Sequence, residues 1–353
     1  MYSLNFASDN AGPMHPKVLE AVIAANDGYQ MPYGNDTIME DVRAKIRTTF
    51  EAPDAAVFLV ATGTAANALA LATYTDPWDA IFAHRISHVE EDECGAPEFY
   101  AHGAKIVLVE GQGAKMDPDD LRAKINKAED KDVHSIQRGP VTVTQATEVG
   151  TLYSLHEIKQ ITSIAHEFGV KTHLDGARFA NACAALGCSA AEMTWKAGID
   201  VVSFGGTKNG CAGVEAVIFF DPTEARQFEL RRKRGAHLFS KHRFLSAQMQ
   251  AYVTNDLWLE LGAKANANCA RLVAGIDGIE GATIPDRPQA NMVFANLPRA
   301  AHRRAMGAGA KYYLFPFDAS LEGPDDEPIR CRMVCDWNKT AEEIDQLISL
   351  LRG

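Results

Sequence analysis

The order of apolar and polar residues predicts alternating strands and helices over the first two thirds of the chain. Short apolar or β-branched runs indicate buried strands, and longer segments with apolar residues every three to four positions indicate helices. The predicted strands are 55–63, 80–84, 105–110, 141–147, 171–178, 200–208 and 216–220, with helices at 64–74, 117–128 and 154–169. This alternation is typical of an α/β fold with a mostly parallel sheet covered by helices on both faces.

The pattern changes after about residue 225. A long helical stretch over roughly 224–275 precedes shorter predicted strands, and an amphipathic helix with a threonine cap closes the sequence. The shorter strands are 292–297, 312–317 and 329–337. We therefore predict an N-terminal arm (1–15), a large domain (16–250) and a smaller C-terminal α+β domain (251–353).

Composition narrows the classes of function. The 353 residues carry a formal net charge of -11, which argues against nucleic acid or an anionic membrane as the main partner. We see neither a secretory signal nor an apolar run of the roughly 18 residues that a membrane helix needs. The seven cysteines form no CxxC pair, so we interpret them as free thiols and expect a cytoplasmic protein.

Residues that could bind a ligand or catalyse a reaction follow three of the predicted strands. Sheets of this kind bind ligands at the carboxyl ends of their strands. The first site is "ATGTAAN", in which Gly63 and Thr64 open a helix. The free N–H groups of a first helical turn favour an anion such as a phosphate. The alternative interpretation is a glycine turn with a threonine cap.

The second and third sites are "HLDGAR" and "FGGTKNG". Asp175 ends an apolar strand and needs a cation or several donors, and one alternative is that it simply pairs with Arg178. Lys208 lies in a glycine-rich turn that does not match a P-loop, because Asn209 follows the lysine and the glycines are misplaced. A surface lysine is the alternative there.

Together, a phosphate-binding turn, a buried carboxylate and a lysine at strand ends fit one cofactor, pyridoxal 5'-phosphate. The lysine would hold it as a Schiff base, the carboxylate would keep the pyridine nitrogen protonated, and the helix would anchor the phosphate. We further expect the glycines around Lys208 to let the backbone approach the flat cofactor and let the lysine swing away.

Around these sites the sequence resembles the fold-type I pyridoxal-phosphate enzymes. More narrowly, it is similar to the low-specificity L-threonine aldolases, including the phenylserine aldolases. The matching stretches span nearly the whole chain: 6–21, 32–36, 63–71, 87–99, 132–135, 144–153, 173–188, 194–210 and 332–337.

The resemblance implies a role for each cofactor residue. Lys208 would form the Schiff base, Asp175 would pair with the pyridinium nitrogen, and Gly63 and Thr64 would hold the phosphate. His88 would stack on the pyridine ring and lie near the β-hydroxyl of the substrate.

The resemblance also implies residues for the substrate. His134 would be a second histidine near the β-hydroxyl. Ser8, Arg178 and Arg332 would bind the amino-acid carboxylate, with Arg178 also near the phenolic oxygen of the cofactor. Asp92 would help to select the side chain.

A further implication is a homotetramer built from two dimers with shared active sites. Tyr33 would reach the site of a neighbouring subunit. Lys241 would take the place of a phosphate-binding arginine found in more familiar relatives. Lys233 and Arg234 compete for that role, and a solvated basic helix face is the alternative for all three.

The implied reaction is reversible cleavage of L-threonine, L-allo-threonine, phenylserine or a related β-hydroxy-α-amino acid to glycine and an aldehyde. The alternatives are a β-eliminating lyase, an aminotransferase, or a non-catalytic relative of the same fold. We expect no metal, because His88 and His134 have no third ligand at suitable spacing. We interpret His173 as structural and His102, His156, His166 and His302 as surface residues.

Overall fold

The structure is a computed structural model that describes residues 4–128 and 132–353. The strands are β1 (Ala56–Val60), β2 (Asp79–His84), β3 (Lys105–Val109), β4 (Gln137–Thr144), β5 (Thr172–Gly176), β6 (Val201–Gly205), β7 (Glu215–Phe219), β8 (Met292–Pro298), β9 (Tyr313–Phe315) and β10 (Pro328–Val334).

The helices cover and connect these strands. They are α1 (Pro16–Ala24), α2 (Thr37–Thr49), α3 (Gly63–Thr73), α4 (His88–Glu91), α5 (Ala96–Tyr100), α6 (Pro118–Lys127), α7 (Leu155–Glu167), α8 (Phe179–Leu186), α9 (Ala190–Met193), α10 (Ala225–Arg234), α11 (Arg243–Val253), α12 (Leu257–Ile276), α13 (Arg299–Gly307) and α14 (Ala341–Arg352).

The described part of the chain contains a seven-stranded sheet in the order β1-β7-β6-β5-β4-β2-β3. All strands run parallel except β7, which is antiparallel to both of its neighbours, β1 and β6. The predicted α/β class with a mostly parallel mixed sheet is therefore confirmed. Because the parallel strands share one direction, the residues that follow β1, β5 and β6 meet at one edge.

A second, antiparallel sheet has the order β8-β10-β9 and packs with α13, α14 and the second half of α12. The N-terminal arm joins this region, since Leu4 and Phe6 are buried in its core. Helix α12 contributes to both hydrophobic cores. Leu257 and Leu261 lie in the core of the large sheet, and Leu272 lies in the core of the small one. The boundary at 250/251 stays a prediction.

Several predicted bounds differ from the structure, and two elements show why. The strand predicted at 141–147 begins earlier and ends at Thr144, where Gln145 leaves the sheet and bonds to the backbone of Tyr153. The helical stretch predicted at 224–275 is three helices. The first ends at Gly235, and a turn with Asn255 in the left-handed region (φ 52°) precedes the third.

Among the histidines interpreted as structural or surface residues, one prediction is wrong and the others are confirmed: His102, His156 and His166 are exposed, as predicted. His173 is buried between the hydroxyl groups of Thr142 (2.9 Å) and Ser203 (3.0 Å), as expected of a structural residue. His302, predicted to lie on the surface, is fully buried and bonds to the Tyr312 hydroxyl and the Ile329 carbonyl oxygen. Its helix, α13, packs this face on the small sheet.

Within residues 4–128 and 132–353, none of the helices is both long enough and apolar enough to cross a membrane.

Candidate active site

A cavity of about 440 Å³ lies at the edge where β1, β5 and β6 end. It brings together six of the residues singled out from the sequence: Gly63, Thr64, His88, Asp92, Asp175 and Lys208. Their positions in the chain range from 63 to 208, and the parallel sheet is what gathers them. The predicted convergence of the three strand ends is therefore present in the structure.

The first turn of α3 forms one wall of the cavity. The N-cap is Thr62, whose hydroxyl oxygen accepts a hydrogen bond from the Ala65 N–H (3.2 Å). Gly63 and Thr64 follow as the first two helical residues, and their N–H groups have no helical carbonyl to bond. The threonine cap of the alternative interpretation thus exists, but Thr62 supplies it, and two amides remain for an anion.

Asp175 is the last residue but one of β5 and is 2% exposed. One carboxylate oxygen accepts from the side-chain amide of Asn67 (3.0 Å), and the other accepts from the Ala177 N–H (3.0 Å). Arg178 instead makes a bidentate ion pair with Asp9 (2.7 and 3.0 Å). The alternative in which Asp175 pairs only with Arg178 is therefore wrong.

A line of hydrogen bonds joins His88 to Asp175. The Nδ1 atom of His88 lies 2.9 Å from a carboxylate oxygen of the buried Glu93. That same oxygen accepts from Asn67 (2.9 Å), whose side-chain nitrogen also donates to Asp175. We call these four residues the internal network. The hydrogen bond to Glu93 raises the pKa of His88, and burial raises the pKa of Glu93.

The turn that carries Lys208 is held in place by the side chain of the next residue, Asn209. The side-chain amide of Asn209 donates to the Tyr252 hydroxyl oxygen and to the Trp258 carbonyl oxygen (2.8 Å each). The glycines have a packing reason. A Cβ atom on Gly205 would lie 2.6 Å from the Ala177 carbonyl oxygen, and Gly210 adopts φ 101°. Close approach between protein backbones therefore accounts for Gly205, and the left-handed conformation accounts for Gly210, without the predicted approach to a cofactor.

The N-terminal arm brings a second cluster beside Lys208. Asp9 is buried, and besides Arg178 it accepts from the side-chain amide of Asn291 (3.0 Å). These contacts and the nearby Lys208 hold the pKa of Asp9 below its usual value against the opposing effect of burial. Arg332 lies within electrostatic reach and donates to the Ala7 carbonyl oxygen (3.2 Å). The Ser8 hydroxyl oxygen accepts a hydrogen bond from the Asn10 N–H and so caps the turn Asp9–Ala11.

Six predicted residues do not line this cavity: Ser8, Arg178 and Arg332 belong to the second cluster, and the other three are exposed. Tyr33 is exposed and bonds through its N–H to the Ser240 carbonyl oxygen (3.1 Å), and Lys241 is exposed beside it. His134 precedes β4 by three positions and is exposed. Since β4 runs parallel to β5, His134 lies at the end of the sheet opposite Asp175. His134 is therefore not part of the cleft of its own chain, and its predicted role near the β-hydroxyl stays a prediction.

Sequence reasoning missed several residues of the site. Asn67 follows Gly63 by one helical turn, a spacing that predicts a shared face. Glu93 stands within the matched stretch 87–99, five positions after His88. The signals for Asp9 and Glu215 are weaker. Asp9 is an acid next to Ser8 in the N-terminal arm, and Glu215 is an acid at the start of an apolar strand.

Comparison with known proteins gives the context for this geometry. Residues 5–300 match the family described as beta-eliminating lyase. Low-specificity L-threonine aldolases from Pseudomonas aeruginosa and from Pseudomonas sp. (strain NCIMB 10558) are each 38% identical to this chain, covering 99% of it and 98% of the relative. The structure of a threonine aldolase from Leishmania major superposes with a TM-score of 0.90 at 26% identity, covering 98% of both chains.

The sheet order, the cleft at the strand ends and these matches define a fold-type I enzyme of the pyridoxal-phosphate class. The agreement with the two bacterial relatives extends over essentially the full length of both chains. The chain belongs to the low-specificity L-threonine aldolase family.

Proposed function

We propose that this protein cleaves L-threonine, L-allo-threonine or a related β-hydroxy-α-amino acid, phenylserine included, reversibly to glycine and an aldehyde. The observation that carries the proposal is the single cavity that joins Lys208, Asp175, His88 and the first turn of α3. Its support is the family membership, since the relatives named above are low-specificity L-threonine aldolases.

The cavity fits pyridoxal 5'-phosphate, which we propose as the cofactor. The amides of Gly63 and Thr64 suit the phosphate group, and Lys208 supplies the amine for a Schiff base. The buried carboxylate of Asp175 suits a protonated pyridine nitrogen. When bound, the cofactor withdraws electrons from the Cα atom of the attached amino acid.

His88 is the residue we propose for the β-hydroxyl proton. Its Nδ1 atom is engaged by Glu93, so Nε2 is the nitrogen left to accept a proton. The raised pKa of His88 makes Nε2 a better base, and the Glu93 carboxylate stabilises the imidazolium that forms. Because His134 lies at the opposite end of the sheet, the histidine we assign to this step is His88.

The substrate carboxylate is proposed to bind beside Arg332, Arg178 and Ser8. The two guanidinium groups lie within electrostatic reach of each other, with Asp9 and Glu148 as acidic neighbours of both. The Nε atom of Arg332 is buried without a recorded hydrogen-bond partner, which fits a missing acceptor. Asp92 lines the same cavity and is proposed to influence the choice of side chain.

A cytoplasmic homotetramer with shared active sites remains part of the proposal. Tyr33 and Lys241 do not line the cavity of their own chain, as expected if they serve a neighbouring one. The exposed apolar side chains of Tyr29, Met31 and Phe239 nearby support a protein contact at this surface.

The test is Lys208→Ala, with Lys105→Ala as the control because Lys105 is exposed at the start of β3. We expect the first variant to lose turnover of L-threonine and the visible absorbance of the lysine-bound cofactor. The control should keep both. Full activity in Lys208→Ala would refute the assignment of this lysine.

A panel of L-threonine, L-allo-threonine, both L-phenylserine diastereomers and the D-forms tests the substrate. Release of glycine and an aldehyde supports aldol cleavage. The matched family carries the name beta-eliminating lyase, so ammonia and a keto acid are assayed in parallel. Their formation in place of glycine would favour the eliminating reaction.

A further inference from the structure

Glu215 is a buried carboxyl group of the cleft that the proposed reaction does not use. It is 6% exposed, begins β7, and lines the same cavity as Gly63, Thr64 and Lys208. Because β7 runs antiparallel to its neighbours, its first residue lies at the edge where β1 and β6 end. The sheet topology therefore places an acid at this position close to the proposed cofactor site.

The strand register gives Glu215 two neighbours that lead into the site. It lies opposite Val60 on one side and Gly205 on the other. Val60 precedes Gly63 by three positions (63 - 60 = 3), and Gly205 precedes Lys208 by three (208 - 205 = 3). Glu215 therefore stands between the strand that leads to the anion-binding turn and the strand that leads to the lysine.

The carboxyl group faces few charges. One oxygen accepts from the Gly206 N–H (2.9 Å), and the Thr207 hydroxyl bonds to the same carboxyl group. The charged groups that face it are Lys208 on the turn and Asp175 on β5.

Cys211, on the same turn, and Tyr252, on α11, are the other titratable neighbours. Burial raises the pKa of both well above their usual values, so each stays neutral near pH 7.

Burial also raises the pKa of Glu215 to about 7, although Thr207, Gly206 and Lys208 oppose the shift. Near neutral pH the protonated and ionised forms are therefore both populated. A second negative charge in the same buried cavity would favour the protonated form, because like charges at close range disfavour ionisation.

We propose that Glu215 takes up one proton from solvent when the phosphate group of the cofactor binds at the first turn of α3, and releases it when the cofactor leaves. This inference rests on the proposed function. No other bond changes in the step, which converts a carboxylate to a carboxylic acid. The consequence is that cofactor affinity falls as the pH rises above about 7, by about fivefold between pH 7 and 8 for a group that titrates near 7.

Calorimetric titration of the cofactor-free full-length protein with pyridoxal 5'-phosphate tests this. Measurements at pH 7.5 in two buffers of different ionisation enthalpy count the protons taken up. About three quarters of a group that titrates near 7 is ionised at pH 7.5, so we expect the wild type to take up about three quarters of a proton more per site than Glu215→Gln, whose amide is neutral at every pH. Glu40→Gln, an exposed change on α2, should match the wild type.

Pyridoxal, which lacks the phosphate group, separates the phosphate from the rest of the cofactor. The difference between wild type and Glu215→Gln should disappear with this probe. Equal proton counts for the two proteins with pyridoxal 5'-phosphate would overturn the inference. If Glu215→Gln does not fold, equal uptake by the wild type with the two probes would overturn it instead.

The outcomes also separate this inference from the proposed function. Cofactor binding without a proton linked to Glu215 leaves the function standing and removes only the role of Glu215. A wild-type protein that does not bind pyridoxal 5'-phosphate would overturn both.

Discussion

Two regions of this protein place polar and apolar groups in opposite ways. In the internal network of His88, Glu93, Asn67 and Asp175, buried polar side chains bond to one another within one chain. In the outer segment, residues 29–33 and 239–243, large apolar side chains face solvent, and Tyr29 is fully exposed. The internal network therefore forms within a single chain, with the Asn67 Oδ1 and Glu93 Oε2 atoms left without a partner among the described residues. The outer segment instead presents the surface expected of a contact.

The largest expected effect comes from a change in the internal network. Asp175→Asn keeps the shape of the side chain but removes the charge that faces the pyridine nitrogen in the proposed site. We expect turnover of L-threonine to fall by about a hundredfold to a thousandfold, the scale of losing a preorganised electrostatic contact. Steady-state kinetics measure this, and an unchanged rate would show that Asp175 does not serve the chemistry.

The second change disrupts the internal network at Glu93, the hydrogen-bond partner of His88. Glu93→Gln removes the carboxylate that raises the pKa of His88, so that pKa falls. Activity that needs an unprotonated Nε2 is lost as the pH drops through the pKa of His88, and the acid limb should therefore move to lower pH. We also expect the plateau rate to fall about tenfold, because the base is weaker. A pH–rate profile with an unmoved acid limb would contradict this role.

The third change probes the outer segment. If Lys241 contacts the phosphate in a neighbouring subunit, Lys241→Ala should weaken cofactor binding by about tenfold, or about 1.4 kcal/mol. Lys233→Ala is the matched comparison, because Lys233 lies over the Tyr33 ring (4.9 Å) in the same region and competes for the role. Equilibrium cofactor titration decides between them, and sedimentation of both variants checks that the assembly is unchanged.

The last effect is on stability rather than on activity, and it concerns His173, which is buried in β5 outside the internal network. Burial lowers the pKa of His173 from 6.5 to about 4, so the folded protein disfavours its protonation. The stabilising contribution is complete above about pH 6.5 and is lost as the pH falls toward 4, by up to about 3 kcal/mol. Urea unfolding at several pH values measures the slope, and His173→Gln should reduce it. An equal slope in both proteins would assign the loss to other groups.

How far the sequence predicts this site depends on the distance along the chain between partners. Gly63, Asp175 and Lys208 were found because each follows a strand, and parallel strands end together. Asn67 bonds to an acid 108 positions away, which no local pattern reveals.

The prediction for His134 came from the resemblance alone. The direction of β4 keeps His134 out of the cleft of its own chain, since a residue that precedes a parallel strand lies at the opposite end of the sheet. Glu215 was missed because one strand, β7, reverses direction, and an apolar run does not state its direction.

Helix α12 has a consequence for making chimaeras with related aldolases. Its first half packs with the large sheet through Leu257 and Leu261, and its second half packs with the small sheet through Leu272. A crossover inside Leu257–Ile276 would pair each half with an unfamiliar core, so parental sequences should be exchanged on either side of the helix. Residues 4–9 should come from the same parent as Leu272 and Asn291. Leu4 and Phe6 share a hydrophobic core with Leu272, and Asp9 accepts a hydrogen bond from Asn291.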